Sequence, residues 1–187
     1  MVRIFCKNTG TYKEFLEGTP LLDIAPAFEF DKPYDILAAK VNNVAEGLRF
    51  RVFHNRDVEF LDYRTYIGRS FYSRSLCFLL YKATRDLFPE SRMTIRRPIS
   101  KGYFCSVYKN DGSFLTEEDV EAIGARMREL VSENIPFRRK ELQIAEAIRI
   151  FKESGDLDKV KLLETCGEVY ITCYSLGDVT DYYYDEL

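Results

Sequence analysis

Residue types that perform chemistry are scarce in this sequence. Its 187 residues include one histidine, His54, and no tryptophan. Mechanisms that need two or more histidines, as metal ligands or as acid and base, are therefore excluded. The cysteines are odd in number and form no C-x-x-C pair; they are Cys6, Cys77, Cys105, Cys166 and Cys173. We expect neither a structural zinc site nor a disulfide framework, and we expect a reducing, cytoplasmic location.

The densest basic cluster lies in the middle of the chain. It comprises Arg92, Arg96, Arg97 and Lys101, and it is followed directly by Tyr103 and Phe104. Cationic side chains bind phosphates and aromatic rings stack on bases, so this cluster could bind a nucleotide or a single-stranded nucleic-acid end. The alternative is an ordinary solvated loop. Because the net charge is −3, any such binding would be local rather than driven by the overall field.

Two kinds of segment are missing from the sequence. The phosphate-cradling pattern G-x-x-x-x-G-K-[S/T] does not occur, so residues 1–187 are not expected to transfer a phosphoryl group. No apolar run approaches the roughly 18 residues that a membrane helix needs, and no apolar signal segment follows the first residues. We therefore expect no membrane partner.

Two groups of elements must position the candidate residues. Residues 1–62 alternate short apolar segments with turns, which predicts one short helix at 21–25 among strands at 2–6, 12–15, 36–41, 48–53 and 58–61. Beyond them, apolar spacings of three and four predict helices at 69–88, 117–131 and 144–151. Strands are predicted at 93–99, 103–108, 137–142 and 169–174. The pattern favours an α+β protein with a domain boundary near residues 62–66.

Several of these segments resemble a known family. Phe114–Ala122, continuing through Met127 and Leu130, is similar to the second additional, editing domain of threonyl-tRNA synthetases. Further matching positions are Leu87, Phe88, Pro89, Met93, Ile95, Ile99, Gly102, Tyr103, Phe104, Lys140, Glu146 and Ala147. Residues 1–62 look like the TGS domain, the small β-grasp module that opens those enzymes. The resemblance implies a TGS-like domain at 1–62 and an editing-like domain at 63–187, an arrangement that also opens a group of bacterial uridine (nucleoside) kinases.

The resemblance also identifies four positions of the editing site. Editing domains carry H-x-x-x-H on the first long helix and a later C-x-x-x-H, whose side chains bind a metal or position a water. Here the first pair falls on Arg74 and Phe78, and the second on Cys173 and Gly177. Arginine stays protonated and phenylalanine has no polar atom, so neither replaces an imidazole. The resemblance therefore implies no editing activity, no bound metal and no cofactor.

Each of these positions has a structural and a functional interpretation. Cys173 is either a small buried hydrophobe in a strand or the residual thiol of the old pocket. Arg74 is either a solvated residue of the helix face or an anion-binding group in a surviving cleft, assisted by Arg69. The run Tyr182–Tyr184 is either a strand edge or a docking segment for a downstream domain. The ligand-binding candidates are Arg74, Phe78, Cys173, Arg96, Arg97 and Tyr103.

The expected function is a non-catalytic N-terminal module of a uridine (nucleoside) kinase-like protein, with an ATP-dependent kinase domain beyond residue 187. Such a module would bind a nucleotide or another anionic small ligand, or position the kinase domain in cis. A first alternative is a threonyl-tRNA synthetase-like protein that edits or binds tRNA, although tRNA is not the favoured partner. A second alternative is a protein-interaction module that uses the abundant aromatic side chains.

Overall fold

A computed structural model describes residues 1–31, 33–99, 102–183 and 187 of the chain. The chain divides into two compact units, Met1–Ser75 and the stretch from Leu76 through the last strand. Both units combine helices with sheets, which confirms the α+β class. Among the described residues, no helix is both long enough and apolar enough to cross a membrane.

The first unit is built on a five-stranded sheet. In chain order its elements are β1 (Val2–Cys6), β2 (Thr11–Phe15), β3 (Thr19–Pro20), α1 (Leu21–Ile24), β4 (Ala38–Val41), β5 (Val44–Glu46), β6 (Arg51–Val52) and β7 (Arg56–Leu61). The sheet order is β2-β1-β7-β4-β5, with β1 and β7 parallel and the other neighbours antiparallel. Alternate residues of β1 face a core that also takes Leu21, Ile24 and Phe28 from the helical side. This is the β-grasp arrangement that the sequence predicts.

The turn at Asn42-Asn43 leads into a strand that the sequence pattern did not predict. Both asparagines adopt positive φ, 49° and 69°, a conformation that asparagine tolerates better than most residues. The turn joins β4 to β5, which then pairs with β4 as the edge of the sheet. The predicted strand over 48–53 is shorter than expected, because only Arg51–Val52 pair with β3 while Leu48 and Phe50 pack against the core.

Helix α2 (Tyr66–Leu87) carries the first two editing-site positions. It begins three residues before the predicted start because a local network caps it. The Thr65 hydroxyl donates to the Asp62 carbonyl at 2.9 Å and accepts from the Gly68 backbone N–H at 3.0 Å. The Arg64 side chain holds the Asp62 carboxylate at 2.7 and 2.9 Å and keeps the pKa of Asp62 below its usual value. The boundary between the two compact units falls within this helix.

The second unit contains a three-stranded sheet, a separate two-stranded ribbon and three further helices. Its elements are β8 (Arg92–Ile99), β9 (Gly102–Tyr108), α3 (Glu117–Ser132), β10 (Arg138–Gln143), α4 (Ile144–Glu153), α5 (Leu157–Thr165), β11 (Tyr170–Leu176) and β12 (Val179–Tyr182). The antiparallel sheet has the order β10-β11-β12, and β8 and β9 form a separate antiparallel pair among the described residues. Ala147 and Phe151 of α4 pack with Val160 and Leu163 of α5 against Cys173 of β11.

Helix α3 begins where its sequence predicts. Thr116 accepts the Asp119 backbone N–H at 3.2 Å, and the Asp119 carboxylate accepts the Thr116 backbone N–H at 2.7 Å. This reciprocal pair is a capping box, which satisfies two donors that the first turn leaves open. The confirmed prediction depended only on neighbouring residues.

Candidate functional site

Phe78 lies where the editing domains have the second histidine of their helix. Its side chain is fully buried, and its ring centroid is 5.8 Å from that of Phe137 and 5.7 Å from that of Tyr183. Aromatic rings at these separations stabilise one another by packing. Phe78 is therefore a core residue of the second unit and presents no surface to a ligand.

Cys173, the one retained residue of the expected site, is also buried. It lies in the middle of β11, between Lys140 of β10 and Tyr182 of β12, with 1% of its surface exposed. Burial raises the pKa of its thiol to about 11, so the sulfur stays protonated at neutral pH. A protonated, inaccessible thiol is neither a nucleophile nor a metal ligand. The small-hydrophobe interpretation of Cys173 fits this structure.

Gly177, the fourth expected position, lies in the turn between β11 and β12 with φ of 61°. A Cβ atom placed on it would lie 3.4 Å from Cε of Lys82. Lys82 is one helical turn beyond Phe78 on α2, and it binds the Asp178 carboxylate at 2.6 Å and that of Asp86. The space beside Gly177 is therefore taken by a lysine side chain, where the editing domains carry a histidine.

The charges around Lys82 form a closed network. Burial opposes the charged form of Lys82, but its hydrogen bonds to Asp178 and Asp86 outweigh that effect and raise its pKa. The same bond lowers the pKa of Asp178. Arg126 of α3 donates through Nε to Asp86 at 2.9 Å and through Nη1 to two glutamates of its own helix segment. These ion pairs connect α2 with α3 and with the turn that follows β11, so the network holds α2 in place. Lys82 was not among the residues predicted from the sequence. The signal that could have identified it is its four-residue spacing from Phe78 and from Asp86 along the helix.

A second, partly buried polar cluster lies near Cys173. The Tyr81 hydroxyl donates to Asp156 at 2.9 Å, and Lys159 binds Asp181 at 2.8 Å and Asp156 at 3.4 Å. Burial raises the pKa of Asp181, although Lys159 acts in the opposite direction. Within the described part of the chain, no group of three or more histidine, cysteine, aspartate or glutamate side chains is arranged to hold a metal ion.

Arg74 and Arg69 contact their own helix region in the first unit. The Arg74 guanidinium lies over the Phe71 ring, 5.0 Å from its centroid, and the side chain is half-buried. Arg69 donates to the Arg64 carbonyl at 3.0 Å. Phe78 and Cys173 are both buried among protein side chains, so neither of them lines an open surface.

The remaining candidates belong to the β8–β9 ribbon. Arg96 is exposed on β8, and Tyr103 of β9 is 49% exposed. Arg92, at the other end of β8, is ion-paired with Asp158 of α5. The side chain of Arg97, and the residues Lys101 and Tyr184, lie outside the described residues. Among the candidates whose side chains the structure describes, Arg96 and Tyr103 are the two that are exposed on the β8–β9 ribbon.

Several curated proteins similar to this chain are threonine–tRNA ligases. The chain is 30% identical over 182 residues, 97% of its length, to a threonine–tRNA ligase of Desulforamulus reducens, and it covers 28% of that protein. It is 32% identical over 174 residues to the threonine–tRNA ligase of Methylococcus capsulatus, covering 92% of the chain and 27% of that protein. The corresponding enzyme of Clostridioides difficile is 28% identical over 182 residues, 97% of the chain and 28% of that protein.

These comparisons bear on whether the chain is related to a kinase or to a tRNA synthetase. No family model matches it. The three relatives are ligases rather than kinases, so they support the synthetase alternative and give no support to the predicted uridine kinase. The chain spans between a quarter and a third of the length of the curated relatives that it matches. Over nearly its whole length, the chain is thus similar to one part of threonine–tRNA ligases.

Proposed function

We propose that this chain is a tRNA-binding module of the threonyl-tRNA synthetase type that does not deacylate the tRNA it binds. The observation that carries the proposal is the similarity to threonine–tRNA ligases across 97% of the chain. Those relatives are named for an enzyme that acts on tRNA. The similarity includes both the β-grasp unit and the unit that contains α3, so it supports a shared role for the two.

We expect no hydrolysis of the aminoacyl ester because of the side chains that occupy the editing-site positions. Phe78 has no polar atom and is packed against two aromatic rings. Cys173 is protonated and inaccessible, and Lys82 lies against the backbone of Gly177. Hydrolysis of an ester needs a base or a metal-bound water within hydrogen-bond reach of the ester. The side chains at these positions supply neither group.

The assignment is limited to binding. Because the chain spans 28% of its relative from Desulforamulus reducens, the ligation reaction for which that enzyme is named is not assigned to it. The net charge of −3 means that tRNA must bind through a local cationic surface. Binding of that kind weakens as salt displaces the phosphate contacts.

The proposal is tested by direct binding of a threonine-specific tRNA transcript. We expect saturable binding in low salt that weakens progressively as the salt concentration rises. A double-stranded RNA of equal length, used as competitor, should displace the tRNA poorly. No saturable binding at about 50 mM salt, or equally effective competition by the duplex, would overturn the proposal.

A further inference from the structure

Helix α3 has at its middle a glycine that no contact within the described chain requires. A Cβ atom placed on Gly124 would lie within 4 Å of no other helix or strand, and its nearest side-chain neighbour is Nη1 of Arg128 at 3.8 Å. Glycine is nevertheless a poor helix former, because it loses more conformational freedom on folding than any other residue. That disadvantage is offset where another backbone must come close to the helix. We propose that the outer face of α3 pairs with the same face of a second copy of this chain, with the two helices antiparallel and closest at Gly124.

The residues around Gly124 form one exposed stripe, here called the Gly124 face. Successive residues of a helix are rotated by about 100°, so Val120 and Val131 lie within about 40° of Gly124 on one side. Glu121 and Arg128 lie within about 60° of it on the other side. Val120 is 57% and Val131 is 64% exposed, and Glu121 and Arg128 are exposed as well. The Gly124 face thus has an apolar edge and a charged edge with a glycine between them.

The charged edge is complementary to itself. Glu121 and Arg128 lie three residues before and four residues after Gly124, which places them about 10.5 Å apart along the helix axis. Neither is ion-paired among the described residues, whereas Arg126 of the same helix binds three carboxylates. A twofold axis at the level of Gly124 and Ala125 places Glu121 of each copy opposite Arg128 of the other. The symmetric pair therefore gains two ion pairs from one kind of contact.

The same axis brings the apolar edges together. It turns one helix end over end and keeps the valines of both copies on the same side of the contact. Val131 of one copy then lies about 3 Å along the axis from Val120 of the other. Because Gly124 has no side chain, the two helix axes can approach to about 8 Å, the short end of the range for packed helices. Glycine, valines and ion pairs are thus all used by a single arrangement.

The charges of the Gly124 face favour a second copy over a partner of another kind. A strongly acidic or basic partner would meet one of the two charges with a like charge. A nucleic-acid backbone would be repelled by Glu121 and by Glu117 and Glu118 of the first turn of α3. The inverted copy of the face matches every charge with its opposite. An interface of one helix pair is smaller than the roughly 1,200 Å² of stable complexes, so the dimer forms at high protein concentration and dissociates on dilution.

The experiment measures the weight-average mass of the full chain by sedimentation equilibrium, from about 10 μM to about 1 mM protein, a range suited to a weak complex. We expect the mass to rise from that of one chain toward that of two. Glu121→Arg and Arg128→Glu each place like charges opposite one another twice, and each should lower the association constant about tenfold or more. Gly124→Leu places a side chain at the closest approach and should lower the constant at least as much while favouring the helix.

A mixture of two variants gives the sharpest test. Equal amounts of Glu121→Arg and Arg128→Glu should associate more strongly than either variant alone, because the positive edge of the first meets the negative edge of the second. Glu153→Arg and Arg149→Glu are the matched controls, since they make the same charge changes at exposed positions of α4 and should leave the mass curve unchanged. Circular dichroism of each variant establishes that its fold is intact.

The outcomes of these measurements decide the inference without reference to tRNA. A mass of one chain throughout the concentration range overturns it. Association that Glu121→Arg, Arg128→Glu and Gly124→Leu leave unchanged overturns it as well, since the contact then lies on another surface. A mixture no heavier than its separate components has the same consequence. Loss of association in all three variants with recovery in the mixture supports the pairing of the Gly124 face, whether or not the chain binds tRNA.

Discussion

Gly68, in the first turn of α2, offers a sharp test of how the helix is attached to the first unit. A Cβ atom added there would lie 2.0 Å from the backbone oxygen of Asp62 and 2.9 Å from the Thr65 hydroxyl. Real Cβ contacts essentially never fall below 3.0 Å, so the backbone must move by about 1 Å. The oxygen cannot swing aside, because the Thr65 hydroxyl and the Arg64 side chain hold this segment in place.

The expected magnitude combines two opposing effects. Forcing an extra carbon into a packed site costs about 3 kcal/mol at the upper end of the usual range. Replacing a helical glycine by alanine returns about 1 kcal/mol through helix propensity. Gly68→Ala should therefore lower the free energy of unfolding by about 2 kcal/mol. Gly124 of α3 is the matched control, since a Cβ there meets nothing closer than Arg128 Nη1 at 3.8 Å. Gly124→Ala should stabilise the protein by about 0.5–1 kcal/mol.

Both variants can be measured by urea unfolding followed by tyrosine fluorescence, because the chain has 13 tyrosines and no tryptophan. Gly68→Ala should lower the urea concentration at the midpoint of unfolding, and Gly124→Ala should raise it. The close approach at Gly68 is refuted if Gly68→Ala is as stable as the unaltered chain while Gly124→Ala shows the expected gain.

Two further predictions concern the residues that replaced the editing site. Lys82→Met should lower the free energy of unfolding at pH 7 by about 1.5 kcal/mol, because it removes the buried ammonium that binds Asp86, while its pair with Asp178, whose side chain is 82% exposed, is weakened by solvent screening. Since Lys82 depresses the pKa of Asp178, the smaller contribution of that pair is present above the ordinary aspartate pKa and is lost as the pH falls through the depressed value. The unaltered chain should thus lose more stability than Lys82→Met on acidification below about pH 4, and equal losses would contradict the ion pair. Cys173 should resist iodoacetamide at pH 8 in the folded chain and react after denaturation, as peptide mass spectrometry would show; rapid modification of the native protein would contradict its burial and raised pKa.

Local signals in the sequence were enough for some elements and not for others. The start of α3 was predictable because Thr116 and Asp119 cap it within one turn. The buried face of α2 was predicted less well. Leu76, expected on that face, is 42% exposed, while Tyr81 and Lys82 are buried beside Phe78. Which side of α2 is buried depends on the distant segments that pack against it, and the spacing of apolar residues within the helix does not identify those segments.

The same distinction applies to the candidate site. The loss of the editing-site histidines was evident from the residues Arg74, Phe78 and Gly177 alone. The contacts that now fill their place could not be predicted, because Asp178 is 96 residues from Lys82 and Tyr183 is more than 100 residues from Phe78. Strand β12 was missed for a related reason: its pairing with β11 is set by a tight turn at Gly177 rather than by an apolar pattern.

Binding without hydrolysis can be measured on one labelled sample of threonine-specific tRNA charged with serine. The chain is added in increasing excess, and the bound fraction and the half-life of the ester bond are followed together. We expect the bound fraction to rise to saturation while the half-life of the ester stays at its value in buffer. Faster loss of serine as the bound fraction increases would show that the chain hydrolyses the ester.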